Sequence, residues 1–131
     1  MVAPFHIPEP IEVTVDLPLP PSVNTIWRHV RGRVIRSVVY RDWITRADAV
    51  LMASPSAWRG RTIMGPCEVH LMFNVESGIG DGDNRIKAIL DYCQRVELID
   101  NDKLIMRGTW EWVKPAAAPA GVRVILRELA G

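Results

Sequence analysis

The chain has 131 residues, 48% of them hydrophobic and 24% charged, and a formal net charge of +1 at pH 7. A domain of this size needs no disulfide to fold, and its two cysteines, Cys67 and Cys93, lack zinc-ligand spacing and are expected to be small buried residues. No segment reaches the ~18 apolar residues of a membrane span, and residues 1–10 lack the regions of a signal peptide, so we expect a cytoplasmic protein without a membrane partner.

The first predicted element is a strand that follows a proline-rich, extended N-terminus, residues 1–10. In IEVTVDL, apolar and polar residues alternate, which is typical of a strand with one buried face. Prolines cannot donate to a strand ladder and end the strand at Pro18, Pro20 and Pro21. The next stretch, PSVNTIWRHVRGRVIRSVV, is predicted to be a loop and a short hairpin around Gly32.

The hydrophobic period changes from Tyr40 onward, where a helix is predicted. Its apolar face contains Tyr40, Trp43, Ile44, Ala47, Val50 and Leu51. After the loop SPSAWRGRTIMGP, the segment CEVHLMFNV alternates clearly and predicts a strand. The residues expected on its buried face are Cys67, Val69, Leu71, Phe73 and Val75.

A second helix is predicted after the glycine-rich segment ESGIGDGD. Its expected buried stripe is Ile86, Ile89, Leu90 and Cys93. Two closing strands, LIMRGTWEWV and GVRVILREL, follow the turn VELIDND and are joined by KPAAAPA. The order of elements predicts one α+β domain over residues 1–131, with a mixed sheet and two main helices packed on one face.

Charge is unevenly distributed along the chain. Residues 26–62 contain eight arginines against two acidic residues, whereas residues 76–102 contain seven acidic residues against three basic ones. A basic half and an acidic half suggest a bound polyanion and a bound metal ion. The alternative is two solvated faces whose charges partly pair.

The stretch GDGDNRIKAILD concentrates the acidic residues. Asp81 and Asp83 are two residues apart in an extended approach and point the same way, so a cation is needed to neutralise them. Oxygen ligands of this kind suit Mg²⁺, with Mn²⁺ as a second possibility. Gly82 leaves room for backbone or phosphate to approach, and Lys87 follows Asp83 by one helical turn.

Two other interpretations of these aspartates stay open. Asp83 or Asn84 alone could simply cap the helix, and Asp91 is expected to pair with Lys87 or Arg95.

A third carboxylate is supplied by DNDK, because a strand returning after the second helix would bring Asp100 or Asp102 beside Asp81. Three carboxylates and a lysine outline a site for metal-dependent phosphodiester hydrolysis.

DGDNRIKAILD followed by IDNDKL, together with the early LPPSVNTIWRH, resembles the RusA family of Holliday junction resolvases. That family has a D-x-D-N-x-x-K motif opening a helix, a later acidic pair, and a P-P-S-x-N-x-x-W-R segment, which matches residues 20–28 here. The order of predicted elements also fits, and the resemblance covers residues 17 to about 107. The D-x-D-N pattern alone is a weak signal, but these motifs together, in order and with suitable spacing, are fairly specific.

The resemblance implies roles for individual residues. Asp81, Asp83 and Asp102 match the family's metal-binding, catalytic aspartates, and Lys87 matches its catalytic lysine. Family membership implies a homodimer that binds four-way junction DNA and makes paired, magnesium-dependent nicks. Many members have arginines just before the first aspartate, whereas residues 77–80 here read SGIG. Those phosphate contacts are either missing or supplied by the arginines after Trp27.

A strip of basic and aromatic residues is the candidate DNA-binding surface, since arginine pairs bidentately with phosphate and phosphate contacts dominate non-specific affinity. It contains Trp27, Arg28, His29, Arg31, Arg33 and Arg36, preceded by Asn24, which would orient a phosphate or cap a turn. A solvated hairpin is the alternative interpretation of this strip.

Trp110 and Trp112 share one face of a strand, where core or dimer packing is expected rather than base stacking. That strand and GVRVILREL offer an apolar dimer interface. The rival to a nuclease is a non-catalytic DNA-binding module, which keeps the basic strip and uses the aspartates only as caps and ion-pair partners.

Overall fold

The computed structural model describes residues 9–22, 27–30, 33–36, 38–55, 58–76, 82–118 and 120–129, with only the backbone of 27–30 and 33–36. The elements are β1 (Glu12–Leu17), β2 (Trp27–Val30), β3 (Arg33–Arg36), α1 (Val38–Met52), β4 (Cys67–Asn74), α2 (Asp83–Arg95), a 3₁₀ turn (Asp102–Leu104), β5 (Ile105–Val113) and β6 (Val122–Glu128). The predicted α+β domain, with a mixed sheet and two main helices, is confirmed.

Four strands form the main sheet in the order β1-β6-β4-β5, and β2 and β3 form a separate hairpin. β6 is antiparallel to both of its neighbours, whereas β4 and β5 are parallel. One face of the sheet packs with both helices in a single core. The C-terminal strand is therefore central, and the edges of the described sheet are β1 and β5.

Helix α1 packs through Trp43, which is fully buried. The indole N–H of Trp43 donates to the carbonyl of Pro18 at 2.9 Å, and its ring lies 5.3 Å from that of Tyr92 in an edge-on contact. The predicted buried face is correct except at Val50, which is 44% exposed. Val50 lies at the margin of the buried arc, where helical spacing alone does not determine burial.

The buried face of α2 is rotated from the predicted stripe. Its buried residues are Ala88, Ile89, Tyr92 and Cys93, while Ile86 and Leu90 are only half-buried. The Tyr92 hydroxyl donates to Asp48 at 2.7 Å, and burial together with that bond raises the pKa of the phenol. A tyrosine with a partner for its hydroxyl can occupy a core position that hydropathy alone assigns to isoleucine or leucine.

Both cysteines are free and buried, as predicted. Burial raises the pKa of Cys67, and it raises that of Cys93 to about 12, so neither thiol is reactive near neutral pH. Within the described part of the chain, no helix has both the length and the apolar character needed to cross a membrane.

The open face of the sheet carries several cross-strand ion pairs. Arg123 contacts Asp16 at 3.0 Å, Arg127 contacts Glu12 at 2.7 Å, and Arg107 contacts Glu68. The Asp16 and Glu12 pairs hold the directly opposed strands β1 and β6 in register. We call this surface the ion-pair face.

Candidate functional site

Asp83 is the first residue of α2 and is exposed. The N-cap position belongs to Gly82, which has no side chain that could cap the helix. The capping interpretation of Asp83 is therefore wrong, because its carboxylate lies inside the first turn. A negative charge there interacts favourably with the helix dipole, and the carboxylate oxygens face solvent.

Gly82 packs against Trp110 rather than opening onto free space. A Cβ at this position would lie 2.6 Å from Cζ3 of the Trp110 ring. Trp110 is 43% exposed and meets Phe73 edge-on at 6.2 Å. The room expected beside Gly82 for a phosphate is occupied by indole, and this contact fixes the start of α2 against β5. Trp112 packs on Phe73 at 5.0 Å, in agreement with the predicted core packing.

Lys87 lies one turn beyond Asp83 on the exposed side of α2. Its ammonium group is 3.4 Å from the Asp91 carboxylate, and its side chain is 61% exposed. The predicted pairing of Asp91 with Lys87 is thus confirmed. Exposed pairs at this spacing contribute little, so this contact leaves the Lys87 ammonium accessible to another anion.

Asp102 lies at the other end of α2. It is half-buried at the start of the 3₁₀ turn, and its backbone N–H donates to Oε1 of Gln94 at 3.0 Å. Asp100 lies nearby, its N–H donating to the carbonyl of Ile63 at 2.9 Å. At about 1.5 Å of rise per residue, Asp83 and Gln94 are roughly 16 Å apart along the helix. Within one chain, Asp102 therefore does not return to the side of Asp83.

Asp81, the remaining predicted ligand, lies outside the described residues. Among the residues that the structure describes, no three His, Cys, Asp or Glu side chains converge closely enough to hold a metal ion. Because Asp81 does not enter that comparison, the predicted metal site at Asp81, Asp83 and Asp102 stays a prediction.

The segment after β1 is held by both helices. We call residues 18–22 the strap. The carbonyl of Pro18 accepts the Trp43 hydrogen bond from α1, and the carbonyl of Pro20 accepts one from Nη1 of Arg85 in α2. Gly121 lies beneath the strap's start, where a Cβ would be 2.1 Å from the carbonyl oxygen of Leu17. The strap and the first turn of α2 thus meet at one corner of the domain.

The candidate DNA-binding residues are distributed around the hairpin that follows the strap. Asn24 and Arg31 lie outside the described residues. The backbone register places Trp27 opposite Arg36 and Val30 opposite Arg33, and Arg28 lies between them on β2. The hairpin and its position between the strap and α1 are as predicted, whereas contacts of these side chains with DNA stay a prediction.

Two further polar residues organise this corner, and neither is among the predicted site residues. Asn74 is 3% exposed at the end of β4; its amide donates to the carbonyl of Ala118 at 2.9 Å and its side-chain oxygen accepts from the N–H of Glu76 at 2.8 Å. These two bonds fix the turn at residues 74–76 against the segment before β6. An asparagine before a glycine-rich turn is a usable signal.

Arg85 is the second of these residues. Helical spacing places it one turn before Ile89, on the buried side of α2, so a charge on an otherwise apolar face was the available signal.

Compared with known proteins, the chain matches no family model and no curated protein.

Proposed function

We propose that this protein is a cytoplasmic, metal-dependent endonuclease of the RusA type that resolves four-way DNA junctions by paired nicks in recombination and repair. The observation that supports it best is the hydrogen bond from Arg85 to Pro20. This contact joins two of the three segments that carry the family resemblance, the one that begins in the strap and the one at the start of α2. Segments 65 residues apart in sequence meet at one corner, as parts of one active site must.

The exposed side of α2 suits the proposed chemistry. Asp83 offers carboxylate oxygens, the ligand type that Mg²⁺ and Mn²⁺ prefer, and Asp81 precedes it by two residues. A bound metal ion would polarise the phosphate and activate water. Lys87, on the same side, would stabilise the negative charge that develops on the phosphate. The arginines of the hairpin would hold the DNA backbone.

The separation of Asp83 from Asp102 bears on assembly. A four-way junction requires two nicks, and two active sites related by a two-fold axis come from a homodimer with isologous contacts. If the two α2 helices run antiparallel across that axis, the partner subunit's Asp102 comes to the side of Asp83. We propose that each metal site combines Asp81 and Asp83 of one chain with the partner subunit's Asp102.

The free edge of β5 is the proposed interface. Met106 and Trp110 are 60% and 43% exposed on this strand, and edge strands readily pair with another chain. The strand predicted from GVRVILREL is β6, which lies in the middle of the sheet and has both edges paired within the chain; its part in a dimer interface stays a prediction. Sedimentation should show twice the chain mass of 14.7 kDa; a monomer that persists on junction DNA contradicts the proposal.

The primary test is cleavage of a labelled four-way junction with Mg²⁺, with Mn²⁺ and with excess chelator. We expect metal-dependent paired nicks. Asp83→Asn should reduce the rate about a thousandfold or more, because the loss of metal assistance costs several kcal/mol, and should leave junction binding intact. Glu12→Gln on the ion-pair face is the control and should cleave normally. Binding without cleavage by the wild-type chain would favour the non-catalytic DNA-binding module.

Mixing subunits tests the shared site. Asp83→Asn and Asp102→Asn chains are each expected to be inactive. A heterodimer of the two contains one complete site if the aspartates act across the interface, and none if they act within one chain. Recovery of nicking on mixing supports the composite site. Failure to recover, in mixtures shown to exchange subunits, contradicts it.

A further inference from the structure

Arg85 occupies a position where packing alone favours an apolar residue. It lies on the side of α2 that also buries Ala88, Ile89 and Tyr92, and its Nη1 donates to the carbonyl of Pro20. Its Nε is buried and has no hydrogen-bond partner among the residues that the structure describes. A partly buried guanidinium with an unsatisfied donor costs stability, and apolar replacements of such groups are often neutral or stabilising.

The Arg85 contact, although it costs stability, helps to hold the strap in place. The strap's three prolines have no N–H, so a regular strand ladder cannot hold it. Two side chains hold its carbonyls instead, Trp43 at Pro18 and Arg85 at Pro20. The first belongs to α1 and the second to the helix that begins with Asp83. Of these two contacts, the one from Arg85 links the strap directly to the helix with the candidate catalytic groups.

The chain continues from the strap toward Asn24 and the arginine hairpin. If the hairpin grips DNA while Asp83 and Lys87 act on a phosphate, the distance between the two elements determines whether the phosphate reaches the metal. A displacement of about 1 Å can cost a factor of about 100 in rate. Local departures from packing rules are expected where function requires them.

We propose that Arg85 is a positioning residue of the nuclease, which ties the strap, and the candidate DNA-binding hairpin that follows it, to the helix with the candidate catalytic groups. It touches neither the metal nor the phosphate and acts through the Pro20 carbonyl. The inference rests on the proposed function and adds to it a residue that the motifs of the resemblance do not specify, since position 85 is one of the unspecified positions in D-x-D-N-x-x-K.

The experiment compares Arg85→Met and Arg85→Lys with the wild-type chain, using Arg46→Met as the control. Arg46 is an exposed arginine of α1. Four quantities are measured: the single-turnover cleavage rate at saturating protein in Mg²⁺, the junction affinity without metal, the melting temperature, and the hydrogen exchange of a peptide covering residues 19–30.

We expect Arg85→Met to lower the saturated cleavage rate by about 10- to 100-fold, with little change in junction affinity and an equal or higher melting temperature. Exchange in residues 19–30 should become faster. Lysine can still donate to a carbonyl, so Arg85→Lys should recover part of the rate and of the protection. Arg46→Met should match the wild type in all four measurements.

Wild-type cleavage by Arg85→Met would overturn the inference. So would a rate loss that tracks a lower melting temperature and that Arg85→Lys does not rescue, because this is the signature of a purely structural residue. If the wild-type chain cleaves with neither Mg²⁺ nor Mn²⁺, the proposed function fails on its own account. The hydrogen-exchange measurement then still tests whether Arg85 holds the strap, since unchanged protection of residues 19–30 in Arg85→Met contradicts that role.

Discussion

Arginines are used in opposite ways on the ion-pair face and at the corner formed by the strap and α2. On the ion-pair face, Arg107, Arg123 and Arg127 each meet a carboxylate on a neighbouring strand. At the corner, Arg85 meets a backbone carbonyl, and no carboxylate pairs with it in the described part of the chain. The first arrangement neutralises charge, whereas the second leaves a guanidinium without a carboxylate partner among the described residues.

This difference indicates where nucleic acid would bind. An arginine already paired with a carboxylate gains little from a phosphate, because the existing pair must be broken first. The ion-pair face is therefore a poor polyanion surface despite its three arginines. The hairpin has no acidic residue between positions 26 and 41, so the basic half of the sequence is concentrated there.

The largest expected effect concerns the support of the strap. Gly121 has φ of +98°, and a Cβ there would lie 2.1 Å from the carbonyl of Leu17. Gly121→Ala should lower the free energy of unfolding by about 3 kcal/mol or more, through overpacking together with backbone strain. Gly60→Ala is the matched control: φ is +78°, and a Cβ there would have no non-neighbouring atom of the described residues within 4 Å, so only the backbone cost of about 1 kcal/mol applies. If chemical denaturation shows that both variants lose the same free energy of unfolding, the strap moves aside to accommodate the added methyl group at little cost.

Next in size is the effect of removing Lys87. Lys87→Ala should reduce the cleavage rate at least ~100-fold, the scale of one removed electrostatic stabiliser. The melting temperature should stay nearly constant, because the substitution removes only an exposed pair with Asp91. Lys114→Ala, at an exposed position after β5, serves as the control. An effect confined to junction affinity would redefine Lys87 as an ordinary phosphate-binding residue.

The hairpin arginines should affect affinity rather than chemistry. Arg31→Ala with Arg33→Ala should weaken binding to every DNA tested, and the slope of log affinity against log salt should fall by roughly 0.9 for each phosphate that is no longer neutralised. Titrations of duplex and junction DNA over a salt series measure this slope. If it does not change, the hairpin is only a solvated surface.

The smallest effect is expected on the ion-pair face. Arg123→Met should change the free energy of unfolding by no more than about 1 kcal/mol, since partly exposed ion pairs contribute little. It should leave the salt slope of DNA binding unchanged, in contrast to the hairpin variants. A shallower slope for Arg123→Met would place DNA on this face and remove the distinction between the two regions.

Some properties of this protein follow from the sequence alone. Alternation in IEVTVDL and CEVHLMFNV and helical spacing after Tyr40 are local signals, because the period of apolar residues reflects the geometry of a single element. They suffice for the order and type of the elements and for an α+β domain. The pairing of Lys87 with Asp91 also follows from spacing alone, since residues four apart are neighbours on a helix.

Other properties depend on which elements meet, and only the tertiary structure decides them. The central place of β6, the rotation of α2 toward Tyr92, and the indole that fills the space beside Gly82 all depend on contacts between distant segments. The position of Asp102 is the clearest case. Its distance along the chain from Asp83 allows either a shared site or opposite ends of one helix. Because β5 pairs in parallel with β4, the returning strand begins near the C-terminal end of α2. Asp102 and Asp83 therefore lie at opposite ends of this helix within one chain.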